Sequence, residues 1–179
     1  MARTTFQGPV RSLGGFYAQG PNAVLTITSS VTLNPQDYGG RILTVGGSLA
    51  SNIVITLPTI NSSTDPSSSG PGADPNTLNN EGVVYTIWIP TTISTSSLKI
   101  GTDGTDKYIG SVLSIDTDSS NVTVGFVPAA SNDFINFNGG TTGGVAGTWV
   151  QITALAALKY SVTGVVLGTG TVATPFADS

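Results

Sequence analysis

Apolar and β-branched residues in this 179-residue chain come in short runs, each closed by Gly, Pro, Asn, Asp or Ser, and this punctuation is the strongest constraint on its fold. A helix needs a longer stretch with apolar positions three and four apart; a strand needs only a few residues with alternate positions turned inward. The runs that meet the second condition are AVLTIT at 23–28, RILTV at 41–45, NIVITL at 52–57, VVYTIWI at 83–89 and SLKI at 97–100. They continue with YIGSVLSI at 108–115, NVTVGF at 121–126, DFINF at 133–137, TWVQIT at 148–153 and LKYSVTGVVL at 158–167. In the seventh run Val122, Val124 and Phe126 are expected on one face and Thr123 and Gly125 on the other. Only TALAALK at 153–159 offers a short helix. The expected class is all-β, an antiparallel β-sandwich or jelly-roll-like barrel.

One domain fits this length. The reading places an extended N-terminal arm at 1–22 and a single β domain at 23–179. Within the domain, 58–82 is rich in Ser, Pro, Asn and Gly, has almost nothing to bury and reads as an inserted loop. The stretch FNGGTTGGVAG at 137–147 reads as a tight connection in which glycines supply positive φ. Net charge is −4, yet Arg3 and Arg11 precede the first acid, Asp37, so a basic arm is attached to an acidic body. Such an arm suits an acidic partner or a neighbouring subunit, and its candidate contact residues are Arg3, Phe6, Arg11, Phe16 and Tyr17. Two arginines without a lysine cluster make a poor phosphate footprint, so nucleic acid is not an expected partner. The first sixteen residues lack the apolar segment of a signal peptide, and no run of about 18 apolar residues follows. Neither classical secretion nor a membrane partner is expected.

The chain has no histidine, no cysteine and one methionine, and 9% of its residues are charged against about 25% in ordinary soluble domains. Without His and Cys, the usual Ser-His-Asp and Cys-His nucleophiles and structural zinc sites are excluded, and disulfides cannot stabilise the fold. The reading is therefore of a protein that is not an enzyme, holds no cofactor and depends on sheet packing and self-association for stability. GTGTVA at 168–173 matches a dinucleotide fingerprint, but too little chain follows it to build the helix that such a site requires. Asp103 with Asp106, and Asp116 with Asp118 and Asn121, are the only carboxylate clusters; the second lacks the central glycine and terminal glutamate of a calcium loop and reads better as a turn. Trp88 and Trp149 lie inside strand runs, where core packing is the favoured role and a sugar-stacking platform the other.

The succession VTLNPQDYGGRILTV, SNIVITLP, GVVYTIWIPTT, KIGTDGTDKYIGSV, SNDFINFNGGTTGGVAGTWVQITALAALKYSVTGVV and GTGTVATPFADS resembles small virion structural proteins of tailed bacteriophages, particularly those of marine and cyanobacterial phages. The likeness runs from about residue 24 to the end and is interrupted by 58–82. It implies a head decoration, or cement, protein: a small β-rich homotrimer, made in the host cytoplasm, that binds the major capsid protein on the outer surface of the assembled head. The resemblance also extends to tail-fibre and receptor-binding modules, which recognise host glycan.

Overall fold

The computed structural model describes residues 12, 13, 19–63, 79–118 and 122–178. Its elements are β1 (Val24–Thr26), β2 (Val31–Thr32), the single helical turn α1 (Pro35–Tyr38), β3 (Ile42–Thr44), β4 (Ile53–Thr56), β5 (Val84–Trp88) and β6 (Leu98–Gly101). There follow β7 (Lys107–Asp116), β8 (Thr123–Phe126), β9 (Phe134–Phe137), β10 (Trp149–Ala156), β11 (Lys159–Gly168) and β12 (Phe176–Ala177). They form a seven-stranded sheet in the order β1-β3-β5-β10-β11-β7-β8 and a five-stranded sheet in the order β12-β9-β6-β4-β2. The architecture is the expected all-β, sandwich-like one.

Pairing within the sheets is mixed, where the short runs suggested antiparallel strands throughout. From β1 to β7 each strand falls in the sheet opposite its predecessor. A chain that crosses to the other sheet and returns has reversed twice, so β1 and β3, β3 and β5, β2 and β4, and β4 and β6 all pair in parallel. These six strands make successive turns of a flattened coil. The rest of the chain supplies antiparallel partners, β5 with β10, β10 with β11 and β6 with β9, together with the long parallel ladder of β7 on β11.

The two sheets enclose one core. Leu43, Ile87, Val150 and Ile152 from the larger sheet and Ile53, Ile55, Leu98 and Ile100 from the smaller are all buried, each stabilising the fold by about 1.5–3 kcal/mol relative to exposure. Tyr108 and Tyr160 lie fully inside and satisfy their hydroxyls on backbone, donating to the carbonyls of Ile100 at 3.1 Å and Pro58 at 2.5 Å. The connection from β9 to β10 passes between sheets through glycines at positive φ. At Gly139, with φ of 75°, a Cβ would lie 1.9 Å from the Ile93 carbonyl oxygen, so no other residue fits there.

One expectation is corrected here. TALAALK is not helical: its first residues end β10, a bulge falls between Ala154 and Ala156, and Lys159 opens β11. The inward places of Ala154 and Tyr160 in the sheets outweigh the local helix propensity of Ala and Leu. The inserted loop has buried ends, since Ile60 and Asn80 are 9% and 3% exposed. The Asn80 N–H donates to the Asn61 carbonyl at 3.0 Å and the Asn61 N–H to Asn80 Oδ1 at 2.8 Å, closing the loop at its stem.

Candidate functional site

Arg3, Phe6, Arg11, Phe16 and Tyr17 lie outside the described residues. The place where their segment joins the body is defined. Ala23 caps the start of β1, its N–H donating to Gly20 and its carbonyl accepting from Ile42. At this same end of the larger sheet the Gly82 N–H donates to the Ala154 carbonyl at 2.7 Å, and the Lys107 N–H to the Leu158 carbonyl at 3.0 Å. The start of β1, the stem of the inserted loop and the β10–β11 turn therefore share one end of the sandwich. That turn is apolar and outward, with Leu155 and Leu158 54% and 52% exposed. Leu158 has φ of 62°, a left-handed conformation that a bulky side chain rarely adopts.

Beside the turn sit Asp103 and Asp106, with opposite environments. Burial raises the pKa of Asp106; the Ile60 N–H, donating to Oδ2 at 2.9 Å, counteracts this in part, and the negative charge of Asp103 adds to the rise. Burial pushes Asp103 upward as well, but the N–H of Asp106, the Thr59 hydroxyl and the N–H of Thr105 all donate to it and bring its pKa below the usual value. Burial also pushes Tyr85 up to about 12 and raises Tyr160 further. Oδ1 of Asp106 and the Tyr85 hydroxyl are buried without a hydrogen-bond partner. Two carboxylates this unlike resemble an acid–base pair in their electrostatics, but Asp106 is closed off from solvent.

In the second carboxylate cluster, Asp116 ends β7 and Asp118 follows two residues later. Asp116 Oδ1 accepts from the Asp118 N–H at 3.0 Å, and Asp118 Oδ2 accepts from the Gly170 N–H at 2.8 Å; Asn121 lies outside the described residues. Asp118 thus ties the end of β7 to the segment after β11, beside a groove of about 550 Å³ lined by Val122, Val124 and Val172. Ser96 and Lys99 stand at the Ser-x-x-Lys spacing of some hydrolases. Ser96 Oγ donates to the Leu49 carbonyl at 3.2 Å and the Lys99 ammonium lies 5.7 Å from the Phe134 ring centre, so the two are engaged elsewhere.

The larger correction concerns Trp88 and Trp149, for which the sequence favours core packing. They are register partners on β5 and β10, on the outer face of the seven-stranded sheet, with Trp88 38% exposed. Their rings stack at 5.8 Å between centroids, 20° from parallel. Strand parity held this answer: Tyr85, Ile87 and Ile89 take the inner side of YTIWI, leaving Trp88 with Thr86, and in TWVQIT Trp149 shares its side with Gln151 and Thr153. The Trp pair extends into a row running across the sheet, Thr44–Trp88–Trp149–Val165–Leu113. The adjacent row on the same face reads Ile42–Thr86–Gln151–Thr163–Ser111. Neither row carries a charge.

No protein-family model matches the chain, and neither does any curated protein or solved structure.

Proposed function

We propose that this chain is a capsid decoration protein, which sits as a homotrimer on the outer surface of an assembled phage head and binds the major capsid protein without making or breaking a bond. The observation that supports this most is the convergence at one end of the sandwich. The basic, aromatic-bearing segment that precedes β1 joins the larger sheet at the same end as the exposed, strained Leu155–Leu158 turn, with β3 and β5 between them. Cationic and aromatic anchors at the same end as a small apolar projection are the chemistry of a protein–protein contact, with apolar groups filling pockets and arginines pairing at the rim. A backbone held in the left-handed region without glycine is a feature that tends to persist where the presented side chain matters. A ligand that binds only the expanded lattice stabilises that lattice by mass action.

Co-sedimentation of the full chain with expanded heads stripped of decoration, together with its native mass, tests the reading. Saturable binding of a trimer is expected. Removal of residues 1–17 is expected to abolish binding while leaving the oligomer folded, and Leu155→Ser with Leu158→Ser to weaken it. Undiminished binding by both variants would overturn the assignment of this end. Failure of the intact protein to bind heads, with retention on host cells, would favour a tail-fibre or receptor-binding module.

A further inference from the structure

We infer that the Trp88–Trp149 row on the outer face of the seven-stranded sheet is a binding site for a neutral oligosaccharide. The inference is independent of capsid binding, because the site lies on the sheet face and not at the end that carries the Leu155–Leu158 turn.

The first argument is the pairing of two chemistries in adjacent rows. A sugar ring has an apolar C–H face and a rim of hydroxyls, and recognition needs a flat apolar surface with donors and acceptors alongside. Trp88, Trp149, Val165 and Leu113 form an apolar strip across four adjacent strands, β5, β10, β11 and β7; the stacked indoles cover one face of each other, so the faces left for a sugar are the outer ones of the pair. Thr86, Gln151 and Thr163 follow in register in the neighbouring row, two residues along the same strands and on the same face. Gln151 and Thr163 are exposed.

Rigidity is the second. The indoles are already stacked, so their rotamers are fixed before a ligand arrives and little conformational entropy is lost on binding. Charge is the third: neither row has an ionised group; Arg41 adjoins Ile42 at the β3 end of the second row, and Lys159 and Lys107 pair at the far starts of β11 and β7. The rows themselves offer an anionic glycan no counter-charge on a chain of net charge −4, which favours a neutral one.

Size argues against a protein partner, including a second copy. The apolar strip spans three strand spacings, about 14 Å, and is one side chain wide except at its β11–β7 end, where Leu167 and Ile115 lie in the next row on the same face. A stable protein interface buries roughly 800 Å² per partner around an apolar core, several times what this strip offers. A short run of sugar rings matches it.

The test is titration of the intact protein with a panel of neutral hexasaccharides (β-1,4-glucan, β-1,3-glucan, α-1,4-glucan, mannan and galactan) and with an acidic hexauronate, read by intrinsic tryptophan fluorescence and by calorimetry. At least one neutral member is expected to bind, with the uronate at least about tenfold weaker. Trp88→Ala is expected to weaken binding by about tenfold or more. Gln151→Ala with Thr163→Val, which leaves both indoles in place, should weaken it severalfold with an unchanged melting temperature, so the result does not depend on the tryptophan variant folding. The proposal is overturned by silence toward every neutral sugar at about 10 mM, by equal binding of the uronate, or by unaltered binding in both variants. A fluorescence change that follows protein concentration alone, with a dimeric mass lost in Trp88→Ala, would also overturn it by making the face a self-contact.

Discussion

The Lys107 N–H donates to the Leu158 carbonyl at 3.0 Å, and this bond holds Leu158 at a φ of 62° in the turn that joins β10 to β11. The parallel ladder of β7 on β11 begins at the same place, with Lys159 opposite Lys107. Leu158 is thus kept in a left-handed conformation by a tertiary pairing, at a cost of about 1–2 kcal/mol.

Leu158→Gly is expected to raise stability by about 1 kcal/mol, because glycine takes this φ without the Cβ clash. A chain of this length would melt roughly 2–4 °C higher. Calorimetry decides it, and a lower melting temperature would show that the half-exposed leucine contributes packing that outweighs its strain. If the turn contacts the capsid, the stabilised variant should bind heads less well.

Gly139→Ala should destabilise by about 3 kcal/mol or more, since the added methyl would stand 1.9 Å from the Ile93 carbonyl oxygen at a φ of 75°. Urea unfolding monitored by circular dichroism measures it. A change below about 1 kcal/mol would mean that the β9–β10 connection relaxes freely.

Ile87 and Trp88 are neighbours on β5 with opposite fates, one 1% and the other 38% exposed. Ile87→Ala should cost about 2–5 kcal/mol as a core truncation. Trp88→Ala should cost less, despite removing the larger side chain, because its site faces solvent and leaves no closed cavity. The urea midpoints of the two variants compare them directly, and the reverse order would place Trp88 in the core after all.

Asp106 and Asp103 predict a specific pH response. The pKa of Asp106 is raised in the folded state, so the fold binds its proton more tightly than the unfolded chain does, and stability is lost as pH rises from about 3.8 through the raised value. Asp103 is lowered, so its contribution is present above about 3.8 and is lost as pH falls below that. Asp106→Asn keeps an acceptor for the Ile60 N–H and removes the buried charge. It should melt above the parent at pH 7, with an advantage that shrinks toward pH 4; an advantage growing toward acid would contradict the assignment.

Much of the secondary structure was legible because strand formation is local. NIVITL, VVYTIWI and LKYSVTGVVL each carry β-branched residues at period two; the structure places β4 and β5 within the first two, and β11 runs from the second residue of the third to one residue past its end. Parity also marked the outward side of Trp88 and Trp149, since the threonines and glutamine that alternate with the apolar residues share it. What period two leaves open is which strand lies beside which. Thr26 and Thr44 share a hydrogen bond at 3.1 Å across 18 residues because the chain visits the other sheet between them. No local pattern records that detour.

The all-β class, the approximate place of most strands and the lack of the side chains most enzymes use are legible along the chain. Hydrophobic periodicity and side-chain chemistry are properties of a few consecutive residues and can be read before folding. Tertiary structure alone decided the parallel coil, the sheet position of the TALAALK segment, the strained Leu158 turn and the row that joins Trp88 to Leu113 through Trp149 and Val165. Each of these depends on contacts between residues far apart in the chain, and their energies exist only once the two sheets have closed on each other.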